Sequence, residues 1–275
     1  KSIFIKLAFA QGANPTTLLT LRMAFAMPFY VAMLWHLRRS ANSKPVSRSL
    51  ALRAFALGFL GYYLASYLDL TGLSLISAQL ERLTLFTYPA MIAALAWMFL
   101  GEPLNRRIIT AIICSYAGVW LMYGQERASS QGSHAGLGVM LVLGSALSYS
   151  FYVLFAKPAM QQIGSRRFTS LAMIGSTFFV AVHCFFTQNL SDFAKLPPIV
   201  YVYGLILAFV CTVLPSFMIN EAILRIGATR TTVIGSVGPV LTMLLAIAVL
   251  REPSSLQHFA GMAVAVFGVS LVVQR

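Results

Sequence analysis

Nine long, unbroken apolar runs constrain this chain more than any other feature. They cover approximately residues 15–37, 50–70, 74–99, 106–123, 136–156, 168–188, 198–220, 228–250 and 256–273. Each approaches the roughly 20 residues that a helix needs to cross a bilayer. The polar breaks between them, such as RRSANSKPVSRS, GEPLNRR, GQERASSQGSH and SDFAKLPP, are too short for a soluble domain. The runs are continuous and do not alternate, which favours helices over a transmembrane β-barrel. Only 10% of the 275 residues are charged and 59% are hydrophobic. A soluble domain carries about a quarter charged residues, so an ordinary soluble enzyme is excluded. Residues 1–11 are too short to span alone and read as the end of a further helix that starts before Lys1.

An internal repeat tests that reading. At an offset of 150, Pro89 falls on Pro239 and Leu100 on Leu250. Glu102-Pro103 falls on Glu252-Pro253, and these are the only Glu-Pro dipeptides in the chain. Gly118-Val119 falls on Gly268-Val269. Between 64–123 and 214–273, 13 of 60 positions are identical. The expected fold is all-α and integral to the membrane. It has ten transmembrane helices in two five-helix repeats, residues 1–124 and 135–275, with helix 1 truncated at its start. An odd number of helices per repeat makes the second half enter the membrane upside down, an arrangement common in secondary transporters.

Charge sorts along the same plan. The chain carries 20 Lys+Arg against 7 Asp+Glu, a formal charge of +13. With the true N-terminus inside, the inner connections hold Arg38, Arg39, Lys44, Arg48, Arg53, Arg106, Arg107, Lys157, Arg166, Arg167, Arg225, Arg230 and Arg275. The outer ones hold Arg127, Lys195 and Arg251. This asymmetry follows the positive-inside rule and places both termini in the cytoplasm. It also removes nucleic acid as an explanation of the excess charge. Cys114, Cys184 and Cys211 lie in apolar runs with neither a CxxC pair nor a disulfide framework.

The segments LISAQLERLTLFTYPAMIAALAWMFLGEPL and TTVIGSVGPVLTMLLAIAVLREP, with Arg22 in LLTLRMAFAMP, resemble the drug/metabolite transporter superfamily, in particular its EamA family. The resemblance covers essentially the whole chain. It implies ten helices around a central substrate cavity, alternating access by helix tilting and export of small metabolites across the cytoplasmic membrane. In length and helix plan the chain is similar to YddG-type exporters of amino acids, including aromatic ones. The expected partners are therefore a small molecule and the lipid bilayer, with protons as a candidate coupling ion. No cofactor, metal or nucleic acid is expected, and the protein is expected to work as a monomer.

Ionisable groups inside spans are costly and mark functional suspects. Glu81 and Arg82 fall in the fourth helix, where the second repeat has Thr231 and Thr232. Glu81, Thr84 and Tyr88 share one helical face, and Gln79, Arg82 and Phe86 another. Glu81 or Arg82 lines the cavity, or Glu81 pairs with Lys6, Lys1 or Arg22 to hold the helices. Tyr63, Tyr67, Tyr149 and Tyr152 complete the cavity candidates, because a phenol suits an amphipathic ligand. Asn220 and Glu221 read as the end of the eighth helix. Pro89 and Pro239 remove a backbone hydrogen bond at equivalent depths and are candidate hinges.

Rival classes lack their machinery. His36, His134, His183 and His258 are scattered, no HExxH or P-loop occurs, and Asp69 and Asp192 are the only aspartates. A multi-pass membrane enzyme or a channel with an intramembrane polar site remains the alternative to a transporter.

Overall fold

Local chemistry sets the helix boundaries in the computed structural model, which describes residues 1–39, 46–103, 106–128, 134–227, 231 and 237–273. Helix α1 (Ser2–Ala10) is short. Helix α2 (Pro15–Arg39) starts with Pro15, whose missing N–H costs nothing at a first helical position. Asn14 caps it, accepting from Thr17 N at 2.8 Å. Helix α3 (Arg48–Leu75) comes next, capped by Ser47, which accepts from Leu50 N at 3.3 Å. After it stand α4 (Ala78–Leu85), α5 (Tyr88–Leu100), α6 (Arg106–Ala128), α7 (Ala135–Ile163) and α8 (Ser165–Thr187). The chain finishes with α9 (Leu190–Ala194), α10 (Pro198–Ile226), α11 (Val237–Leu250) and α12 (Leu256–Val273).

Every regular element among the described residues is helical. Among them, seven helical segments are long and apolar enough to cross a membrane: α2, α3, α4 with α5, α6, α7, α8 and α10. Gly238–Leu250 and Leu256–Gly268 are shorter apolar helices. Large apolar side chains face outward. Trp120 is 72% exposed and Phe186 79%, which in water would be a liability and in lipid is the expected surface. Lys44, Arg230 and Arg275 of the basic inventory, and Thr232, lie outside the described residues.

Three details recur at the 150-residue offset. Both α3 and α10 contain a π-helical turn, at Phe59–Leu64 and at Phe209–Val213. Such a turn disturbs the backbone ladder, and Ser148 and Ser145 of α7 donate to the Leu60 and Ala65 carbonyls beside it, at 2.7 and 2.6 Å. Helices α5 and α11 both run into a left-handed residue, Gly101 (φ 67°) and Arg251 (φ 54°). Each is followed by a glutamate amide bonded six residues back, Glu102 N to Ala96 O and Glu252 N to Ala246 O. Only glycine takes such a φ without strain, so Arg251 holds it at a cost. Helices α6 and α12 also pack against each other through matched small residues. A Cβ on Gly118 would stand 2.5 Å from Gly261 O, and one on Gly268 would stand 2.9 Å from Ala111 O. Close backbone approach through small residues is the usual means of joining helices in lipid.

Two boundaries differ from the sequence reading. The fourth span starts at Ala78 and not near residue 74, so Glu81 and Arg82 lie in or near the first turn of α4. The eighth continues to Ile226, so Asn220 sits inside it, fully buried.

Candidate functional site

A cavity of about 410 Å³ lies between α1, α2, α3, α4, α5, α7 and α10. Its lining residues fall near the midpoints of several spans, among them Gly61–Asp69 on α3, Tyr149 on α7 and Val210–Ser216 on α10. Lys1, Arg22, Asp69 and Arg82 bring charge to it. Tyr62, Tyr88 and Tyr149 bring aromatic rings with hydroxyls, and Met23, Leu85, Val210 and Ile219 bring apolar surface.

The discontinuity between α4 and α5 shapes one wall. Helix α4 closes with Phe86 N bonded to Arg82 O and Thr87 N to Thr84 O. The chain turns at Phe86–Thr87 and resumes as α5, with Pro89 in its first turn where its missing N–H is tolerated. Pro239 is the third residue of α11, and residues 232–236 before it lie outside the described set.

Aromatic contacts form the second wall. Tyr88 meets Tyr149 edge-on at 5.4 Å, and Tyr149 stacks on Tyr152 at 5.8 Å. Tyr152 lies against Gly61, where a Cβ would stand 2.3 Å from its ring. Its hydroxyl donates to Asn220 Oδ1 at 2.7 Å and lies 3.0 Å from Tyr62 Oη. Asn220 Nδ2 in turn donates to Tyr62 Oη at 3.0 Å and Thr169 Oγ1 at 2.8 Å. This network ties α3, α7, α8 and α10 together behind the cavity.

The charged groups arrange themselves in two tiers. Lys1 Nζ donates to Asp69 Oδ2 at 2.5 Å. Ser2 Oγ donates to Glu81 Oε2 at 2.7 Å, behind the cavity surface. Glu81 and Asp69 adjoin, both fully buried or nearly so. Arg22 Nε and Arg82 Nε have no hydrogen-bond partner among the described residues, and the Asp69 and Glu81 carboxyls lie within hydrogen-bond reach of each other when one is protonated.

Of the residues singled out from sequence, Arg82, Tyr88 and Tyr149 border the cavity, and Tyr152 stands directly behind it. Glu81 is buried one layer back. Gln79 points to the turn after α11, its Nε2 donating to Pro253 O at 3.5 Å. Tyr63 and Tyr67 sit on the α8 side of α3, where Tyr63 Oη lies 3.1 Å from His183 Nδ1 and Tyr67 packs edge-on to His183 at 4.6 Å. Neither is among the lining residues. Sequence reasoning missed Asp69, although its lone carboxylate inside an apolar run carried the same cost signal as Glu81. It also missed Asn220 as a network centre.

A second, polar pocket of about 460 Å³ lies where α4 begins, bordered by Lys6, Ser77, Glu126, Glu252 and His258. A helix start leaves backbone N–H groups unpaired. Here Glu126 accepts from Ser77 N at 2.6 Å and Ser77 Oγ at 2.8 Å. Glu252 accepts from Ala78 N at 2.8 Å and Gln79 N at 3.3 Å. The glutamate of the second Glu-Pro dipeptide is therefore a cap on a helix far away in sequence.

Comparison with known proteins places this arrangement. The model of the EamA-like transporter family matches residues 2–124 and again 136–274. The Bacillus subtilis transporter YcbK is 26% identical over 265 residues, covering 95% of this chain and 84% of that one. A Synechocystis transporter is 26% identical over 265 residues, covering 93% and 78%. A WAT1-related protein of Arabidopsis thaliana is 30% identical over 151 residues, covering 55% and 36%. One solved crystal structure aligns with a TM-score of 0.66 at 16% identity, covering 98% of this chain and 93% of its own, a likeness of fold.

Proposed function

The chain belongs to the EamA-like transporter family, and from that premise we propose that it is a secondary carrier moving small organic metabolites across the plasma membrane by alternating access. Amino acids, aromatic ones included, are the leading cargo, and export is the direction. The observation that carries this reading is the cavity of about 410 Å³ at mid-span, combining tyrosines, apolar side chains and charge. Its size and mixed lining suit a small amphipathic ligand.

Two inverted five-helix halves, residues 1–124 and 135–275, supply the moving parts. Support comes from the double family match, the paired π-helical turns and the paired left-handed residues before Glu102 and Glu252. The α6–α12 contact adds to it, since exchanging each residue for its counterpart 150 away turns the Gly118–Gly261 contact into the Gly268–Ala111 contact. Both termini face the cytoplasm by the distribution of Lys and Arg. A monomer suffices, and the Phe86–Thr87 break beside Pro89 acts as the hinge, with Pro239 as its counterpart.

Counterflow in proteoliposomes tests the proposal. Vesicles preloaded with an unlabelled amino acid should take up the labelled one saturably and faster than empty vesicles. Flux that does not saturate would point to a channel, and no flux across a panel of amino acids, nucleosides and amines would remove the carrier reading. In the same assay Pro89→Ala should slow exchange, and an unchanged rate would dismiss the hinge.

A further inference from the structure

Charge counting at the cavity goes further than the size of the cavity. Three cationic side chains cluster there: Lys1, Arg22 and Arg82. Two carboxyl groups face them, Asp69 at the wall and Glu81 behind it. The phenols and the Cys211 thiol bring no negative charge at neutral pH. Lys1 is consumed by its ion pair with Asp69, and Glu81 accepts from the Ser2 hydroxyl. Even with both carboxyls ionised, three positive charges meet two negative ones, so the two carboxyls are shared among three cations and the cavity keeps a net positive charge. Protonation of Glu81 would only widen the gap.

The excess charge resides in arginine. Arg22 is 4% exposed, and no hydrogen bond or ion pair holds its guanidinium among the described residues. Arg82 is equally without one, and its Nη2 lies beside Gly238 at the start of α11, 3.2 Å from where a Cβ would stand. A buried unpaired guanidinium is expensive, because burial removes its hydration without replacing it. Its planar fork of donors fits a carboxylate. Asp69, the only carboxylate among the described lining residues, already faces Lys1, so an incoming ammonium group meets a site of net positive charge.

Resting on the carrier reading above, we propose that the cavity selects an organic carboxylate. The guanidinium groups of Arg22 and Arg82 receive its carboxylate, and Tyr88 and Tyr149 receive its apolar or aromatic body. The carboxylate is the required group and an amino group is dispensable. An amino acid is held through its acid end, its deaminated analogue at least as well, and the corresponding amine poorly.

Equilibrium binding to the full chain in detergent, followed by calorimetry, tests this with 3-phenylpropionate, L-phenylalanine, phenethylamine and inorganic phosphate. The expected order is 3-phenylpropionate at least equal to L-phenylalanine, and phenethylamine at least tenfold weaker. Phosphate, lacking a body for the tyrosine wall, should also be at least tenfold weaker. Arg82→Gln and the charge-conserving Arg22→Lys should each weaken 3-phenylpropionate about tenfold or more, as expected for losing charge-assisted hydrogen bonds. Each variant is first confirmed monodisperse, and either one suffices if the other does not fold. Equal or tighter binding of phenethylamine, equal binding of phosphate, unchanged affinity in the folded variants, or no binding by any probe would each overturn the proposal. Counterflow is read separately. Saturable exchange of amines would keep the carrier and sink the carboxylate rule, whereas carboxylate binding without counterflow would do the reverse.

Discussion

The mid-span cavity and the polar pocket at the start of α4 hold similar charged groups and treat them in opposite ways. At the start of α4, Glu126 and Glu252 spend their oxygens on backbone N–H groups of Ser77, Ala78 and Gln79. At mid-span, Arg22 and Arg82 keep guanidinium groups that no described side chain holds by a hydrogen bond, and Arg22 is almost wholly buried. The difference separates charge that builds the fold from charge held ready for a ligand. A carboxylate on a helix start compensates the exposed amides and the positive end of the helix dipole.

Substitutions should divide along that line. The largest expected loss of stability comes from Asp69→Asn, which leaves Lys1 without its anion in a largely buried setting. Breaking one side of such a pair costs about 3–5 kcal/mol. A thermal-unfolding assay in detergent should show a large fall in midpoint, and an unchanged midpoint would mean that the Lys1–Asp69 pair is not structural. Glu252→Ala should cost less, about 1–3 kcal/mol for the orphaned amides of α4, whereas Glu252→Gln keeps an acceptor and should recover part of that loss. If the glutamine variant were as unstable as the alanine one, the charge and not the hydrogen bond would be the operative feature. The smallest effect is expected at Tyr63→Phe, on the α8 side of α3. Stability should change by about 1 kcal/mol or less, for the one hydrogen bond to His183, and 3-phenylpropionate affinity should not change. A loss of binding there would place Tyr63 in the ligand's path.

Membrane spans were legible in the sequence because their signal is local. A stretch of about 20 apolar residues has one stable home, and every backbone group must be satisfied within it. The break near Pro89 was legible too, although the structure places the turn at Phe86–Thr87 and lets Pro89 start the next helix. Facing was harder to read. Tyr63 and Tyr67 are four residues apart and both meet α8, and a π-helical turn runs through Phe59–Leu64. One extra residue in a turn rotates the rest of the helix by about 100°, enough to exchange a cavity wall for the α8 interface. Asp69 was readable by the same cost argument that exposed Glu81, and Glu252 announced itself only as half of a repeated dipeptide.

Apolar length and the spacing of rare residues thus suffice for the helical class, the approximate spans and the 150-residue correspondence, since each is a property of contiguous chain. Partnership required the folded molecule. Lys1 meets Asp69 across 68 residues, Ser2 meets Glu81 across 79, and Glu252 reaches Ala78 across 174. No local pattern encodes such pairings, because they depend on how helices rotate and tilt against one another. The same packing leaves Arg22 and Arg82 without hydrogen-bond partners among the described residues, which made a cavity of net positive charge visible only in three dimensions.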